Sequence, residues 1–220
     1  MDLLERRVDL DDVREKYRRK NQLLFSRESA CLQDLIRLVG LQKHRTIVLW
    51  AFTGAENPVA LLKRAYPDDT RPEEAVRVCR MWAEGCVKMP EARKAILQVH
   101  AMAREVETPR DCALCHAVGQ ACSAVHTEAH SVGLVFYELT AIVRELGIDA
   151  CEQAVDEKIN YYISTLKDCQ AEIDFQNRSW AASLLDASRV NKALLLWQQR
   201  SKLPCGYSPT FHSVNVLFYQ

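Results

Sequence analysis

Cys112-Ala113-Leu114-Cys115-His116-Ala117-Val118-Gly119-Gln120-Ala121-Cys122-Ser123-Ala124-Val125-His126-Thr127 is the stretch on which the fold turns. Its sixteen residues contain no Asp, Glu, Lys or Arg, in a chain that is 26% charged. Read as a helix, it is apolar on every side, and such a helix belongs at the centre of a bundle rather than on its surface. Thr108-Pro109-Arg110-Asp111 in front of it supplies a cap and a proline in the first turn.

The same signals recur outward in both directions. Upstream, Met89-Pro90-Glu91 opens a helix with the inward face Ala92, Ile96, Val99 and Ala103. Thr70-Arg71-Pro72-Glu73 combines a capping box with a first-turn proline, ahead of Val76, Cys79 and Ala83 and a stop at Gly85. Asn57 is expected to cap a helix with Pro58 in its first turn. A helix from about Gln42 carries Ile47, Trp50 and Ala51, and one through Leu32, Leu35, Ile36 and Val39 ends at Gly40. Leu3, Leu4, Val8 and Tyr17 mark a charged first helix. Downstream, Thr127 and Glu128 read as the cap and first turn of a helix to Leu146, stopped by Gly147. Asp149 with Glu152 is expected to cap the next, whose stripe Val155, Ile159, Tyr162, Leu166, Cys169 and Ile173 advances by fours and threes, a heptad-like seam. Trp180, Leu184, Leu185, Leu194 and Trp197 extend helical character to about Arg200. The expected fold is all-α: one domain over 1–220, a bundle of roughly eight helices. Its parts are an N-terminal helical extension at 1–40, a core at 44–146, C-terminal helices at 149–200 and an irregular or extended tail at 204–220.

Composition agrees. Seven Gly and seven Pro in 220 residues are too few turn-formers for an all-β chain. No apolar run approaches the roughly 18 residues of a membrane span, and the charged start, Met1 to Arg7, has no signal-peptide core. Lys and Arg balance Asp and Glu at 29 each, so the basic surplus of a nucleic-acid binder is missing. Two local biases, five basic residues against one acidic from Arg14 to Lys20 and seven acidic against two Lys over 149–174, read as solvated helix faces. Nine cysteines, an odd number, point to reduced thiols in a cytoplasm rather than to a disulfide framework.

Cys112-x2-Cys115 followed by His126-x3-His130 has the ligand types of a zinc finger. On one helix, however, Cys115 and His126 lie about 16 Å apart at 1.5 Å per residue, beyond the reach of one ion, so the cysteines read as small core residues. Cys122 and His126, at i and i+4, form a closer pair. His130 joins them if the chain kinks near Thr127, and His100, on the face of Ile96 and Ala103 beside Arg104, adds a third imidazole. His100, Cys122, His126 and His130 are the set a metal would use. A structural polar cluster is the preferred reading, because no carboxylate lies on the central helix. No phosphate loop, nucleophile elbow or HExxH motif occurs, so no catalytic residue and no cofactor is expected.

Trp50-Ala51, Ala55-Glu56, Pro67-x-Asp69-x-Arg71-Pro72, Arg80-x-Trp82-Ala83-x-Gly85, Ala92-Arg93, His100-Ala101-x-Ala103-Arg104-Glu105, Gly119-Gln120-Ala121 and His126-x3-His130 follow one another in order. Over about residues 44–146 this pattern resembles a bacterial family of putative immunity proteins linked to polymorphic toxins. The chain departs from that pattern at Cys112 to His116, where the family has small residues and arginine, and at Glu128, where it often has proline. The resemblance implies an all-helical, non-catalytic cytoplasmic protein whose partner is a protein, a toxin. It also implies a role for Arg80, Arg93 and Arg104, with Asp69 and Glu105 as their expected partners. Two rival readings stand beside it: a metal-dependent or other enzyme built on His100, His126 and His130, and a homo-oligomeric helical scaffold using the seam from Val155 to Ile173. Neither nucleic acid nor membrane is expected as a partner.

Overall fold

The computed structural model describes residues 8–174, 179–186, 191 and 195. Ten α-helices occur among them: α1 Asp11–Arg18, α2 Gln33–Gly40, α3 His44–Gly54, α4 Glu56–Ala65, α5 Arg71–Ala83, α6 Met89–Met102, α7 Pro109–Ser123, α8 Ser131–Leu146, α9 Glu152–Glu172 and α10 Ala182–Leu185. Single 3-10 turns at Ala30–Leu32 and Glu128–His130 lead into α2 and α8. No strand occurs among the described residues, and no described helix is long and apolar enough to cross a membrane. Leu3, Leu4, Leu194, Trp197 and the 204–220 tail lie outside the described residues.

The proline-led starts are where the spacing put them. α5, α6 and α7 each carry a proline in the first turn, where its missing N–H removes no helical bond. Thr108 caps α7, its hydroxyl accepting the Asp111 N–H at 3.0 Å, and the Glu91 carboxylate accepts the Lys88 N–H at 3.1 Å. Gly85 and Gly147 end α5 and α8 in left-handed backbone, φ 81° and 82°, which a side chain would strain.

Four expected caps are corrected. Thr127 makes no side-chain cap bond and precedes the 3-10 turn Glu128–His130, with α8 starting only at Ser131. Asn57 lies inside α4, not at its cap; its amide donates instead to buried Glu138 at 2.7 Å. Thr70 precedes α5, but its backbone is already helical, φ −94° and ψ 0°, and its hydroxyl accepts no capping bond. The Asp69 carboxylate accepts the Arg71 N–H at 3.0 Å in its place. Asp149 is exposed and pairs with Arg14 at 3.2 Å, while Cys151 precedes α9 without a side-chain cap. α7 also ends at Ser123, four residues before the expected break, and Trp180 is not helical.

α7 forms the wall between two hydrophobic clusters. Ala117, Ala121 and Ala124 join a cluster of large side chains from α2, α3, α8 and α9, including Ile47, Trp50, Leu139, Tyr162 and Leu166. Leu114, Cys115, Val118 and Cys122 join a second cluster of mostly small residues from α5 and α6, among them Ala75, Cys79, Ala92 and Ala95. Both faces of α7 are therefore buried, as its missing charges required. The heptad-like stripe on α9 is buried at every position from Val155 to Ile173. It packs on α2, α3 and α8 of the same chain, which leaves a scaffold without the seam as its free surface. Five of the eight described cysteines are buried and act as small apolar residues.

One buried polar network crosses the large-residue cluster. Glu138 of α8, 1% exposed, accepts from Asn57 Nδ2 at 2.7 Å, from Lys158 Nζ at 3.1 Å and from the Tyr162 hydroxyl. Burial, with Glu138 adjacent, holds the Tyr162 phenol well above its usual range. Trp50 Nε1 donates to the Tyr162 carbonyl at 3.0 Å. Charge and hydrogen bonds are thus both satisfied, the condition under which a carboxylate is tolerated in a core.

Candidate functional site

Five rings and one amide are brought together by α6, α7, α8 and the turns between α7 and α8. His100 Nδ1 and His116 Nδ1 stand 3.0 Å apart, within one hydrogen bond. The His116 ring lies 5.0 Å from the Tyr137 ring, centroid to centroid. His130 Nδ1 meets Gln120 Oε1 at 3.0 Å, and the His126 and His130 rings are 5.3 Å apart. His130 is close enough to contribute to the field at His100.

Two glycines make room for this row. A Cβ on Gly119 would collide with the His100 ring, and one on Gly133 would come within 2.7 Å of Gln120 Oε1. Mid-helix glycine costs about 0.5–1 kcal/mol relative to alanine, so its presence at both crossings marks a close approach.

His100 and His116 are held in the neutral form near pH 7. Burial, reinforced by His116 and His130, lowers His100 to about 4. Burial and then Arg104 lower His116. Since both favour the uncharged imidazole, one Nδ1 donates and the other accepts.

Expectation and geometry part company at several residues. His100 and His130 are brought into one region, with His126 beside His130. His126 itself is exposed, past the end of α7. Cys122 is fully buried, and its hydrogen bond with Cys79, followed by burial, raises its thiol well above the usual range. Among the described residues no group of three His, Cys, Asp or Glu side chains is placed to hold a metal ion. The hinge after α7 is tied by His44, which was not singled out: its Nε2 donates to the Ala124 carbonyl at 2.7 Å, and its Nδ1 lies 3.3 Å from buried Glu128.

The arginine cluster is also rearranged. Asp69 and Glu105 pair with Arg71, not with Arg80, Arg93 or Arg104. Arg71 Nε donates to Asp69 at 3.0 Å, and its two terminal nitrogens reach Glu105 at 3.0 and 2.6 Å. The guanidinium holds both carboxyls below their usual range and is itself raised. This triad joins the loop before α5 to the loop after α6. Arg80 pairs with Glu56 at 3.3 Å and lies over the Phe52 ring. Arg93 and Arg104 are exposed, Arg104 near His116.

Beside His116 the surface opens into a cleft of about 720 Å³. It lies between the Lys20–Leu23 loop, one face of α7 (Pro109, Cys112, His116) and one face of α8 (Tyr137, Arg144). Burial raises the Cys112 thiol, and burial pushes Cys115 to about 12, so neither is a ready nucleophile.

His116 and Gln120 were not read as site residues, because a charge-free helix reads as core throughout, and Tyr137 of α8 carried no signal of its own. The usable signal was Gly119, three residues from His116. Glu138 carried a signal of its own, as the one formal charge between Ser131 and Val143.

Comparison with known proteins places a family model, described as Imm-5 like putative immunity protein, on residues 37–165. That match runs from α2 into α9, past both ends of the 44–146 stretch. No curated protein and no solved structure matches the chain.

Proposed function

The chain belongs to the Imm-5 like putative immunity protein family, and on that premise we propose that it acts by binding and neutralising a protein toxin in the cytoplasm, without chemistry of its own. The observation that carries this reading is the family match over more than half the chain. The lowered base strength of His100 and His116 and the raised thiols of Cys112, Cys115 and Cys122 support it, because such groups are weak bases and weak nucleophiles at neutral pH. A zero net charge favours a protein partner over nucleic acid.

The test begins with the gene beside this one. Co-expression with the neighbouring toxin domain should restore growth, and the two chains should elute together at the summed mass by size exclusion with light scattering. Growth that is not restored, with the two chains eluting apart, would end the reading. Turnover of the toxin or of a small molecule by the purified chain, lost in His116→Ala, would replace it with an enzyme.

A further inference from the structure

The cleft beside His116 is lined by two cations, Lys20 and Arg144. None of its lining residues is acidic, although the chain carries 29 carboxylates. Two of its cations, Lys20 and Arg144, make no ion pair among the described residues. Asp111 and Glu145, the chain neighbours of Cys112 and Arg144, are already engaged: both bind Arg110, at 3.0 and 3.1 Å.

Arg144 is held by its side chain and Lys20 by its backbone. Arg144 Nη2 donates to the Asn21 carbonyl at 2.6 Å, and its guanidinium lies over the Tyr17 ring. Neither contact neutralises its charge. Lys20 stands just past the end of α1 in left-handed backbone, φ 57°, where glycine or asparagine is the ordinary choice. The turn is closed by Lys20 N–H to Tyr17 O and Asn21 N–H to Lys16 O, each at 3.0 Å. A strained lysine kept at the mouth of a cleft is the pattern of a residue held for its charge.

We infer that this cleft receives an acidic segment of the protein partner, its carboxylates set against Lys20 and Arg144 and its backbone within reach of His116. The inference rests on the binding-protein reading and names the chemistry of that partner. Charge complementarity selects the occupant. The cleft volume, about 720 Å³, is of the size that holds several side chains rather than one small anion. The chain's own remaining segments do not fit: residues 187–220 contain four Arg and Lys and no Asp or Glu, and residues 1–7 contain two of each sign.

Fluorescence anisotropy on the full chain tests this with a labelled hexaglutamate peptide and its hexaglutamine counterpart. Hexaglutamate should bind and hexaglutamine should not, and excess inorganic phosphate should not displace the peptide. Lys20→Glu should weaken binding by about tenfold or more, as charge reversal in a complementary patch does. Lys20→Gly suits the left-handed backbone, so it removes the charge without risk to folding and should weaken binding in the same direction. Arg93→Glu, an exposed cation outside the cleft, should change binding by less than about twofold. Equal losses at Lys20 and Arg93, or no loss at Lys20, would overturn the inference. So would stoichiometric displacement by phosphate, which marks a small-anion site, or a concentration-dependent doubling of mass, which marks a second copy docking by its acidic α9. The neighbouring toxin domain separates this inference from the functional reading. Normal toxin binding by Lys20→Glu would remove the cleft and leave the reading intact. Toxin that fails to bind the unmodified chain would remove the reading, while the peptide series still decides the charge of the cleft.

Discussion

α7 and α9 are both core helices, but they meet the bundle in different ways. α7 stands between two clusters and buries nearly every side chain from Asp111 to Ser123. α9 is longer, 21 residues against 15, yet it buries one stripe and gives its other faces to water. The difference lies in what each helix touches. A helix with partners on all sides cannot hold a charge that no neighbour satisfies. A helix with partners on one side needs only apolar spacing there and can keep acids elsewhere. α7 shows its burial by what it lacks, and α9 by a period.

The largest expected effect tests that contrast directly. Ala117→Glu places a carboxylate where the side chain is fully buried and should cost about 4–5 kcal/mol or more. Ser164→Glu on the exposed face of α9 should stay within about 0.5 kcal/mol. Denaturant unfolding of the pair measures both. Similar midpoints for the two variants would remove α7 from the centre.

A smaller effect comes from the one polar seam on α7. His100 falls from its ordinary 6.5 to about 4 in the folded chain. Between those values the unfolded chain binds the extra proton, so stability is complete above pH 6.5 and declines as pH falls toward 4. The groups facing His100, namely His116 and His130, are imidazoles that gain the same sign of charge, and Arg104 beside His116 adds to it. The decline should reach about 3 kcal/mol by linkage. Replacing His100 with Phe should flatten the unfolding free energy over this range. An unchanged slope would show that the histidine row titrates as if exposed.

A smaller loss again is expected from the polar contact of α9. Tyr162→Phe keeps the stripe and removes the hydroxyl that donates to Glu138. Glu138 retains Asn57 and Lys158, so the loss should be about 1.5–2 kcal/mol, the scale of a hydrogen bond to a charged group. Thermal unfolding with the enthalpy measured gives the value. A loss as large as that of Ala117→Glu would mean that α9 depends on its polar contact rather than on its apolar seam.

Much of the architecture was legible because its causes are local. Proline in a first turn, glycine past a last turn and a 3-4 period act within a few residues of chain. Two of the failed caps had nonlocal causes: Asn57 is drawn to Glu138, 81 positions away, and Asp149 to Arg14, 135 positions away. Of the candidate site, His100 and His130 could be named from their helix faces, but His116 looked like core because its partner lies on another helix. Asp69 and Glu105 were rightly grouped, yet Arg71 binds both because it sits where two loops converge.

By itself, then, the sequence determined which segments are helices, which helix lies innermost and which stripe of α9 is buried, since periodicity and missing charge act through solvent and need no knowledge of the partner. Only the tertiary structure decided which polar groups meet. A hydrogen bond is set by distance and angle to within a fraction of an ångström, and no spacing rule carries that information between helices. The Nδ1 contact of His100 with His116 arises where α6 and α7 pack, the triad at Arg71 where the loops before α5 and after α6 meet, and the cleft where α7, α8 and the Lys20 turn come together. Packing there is a property of the whole bundle.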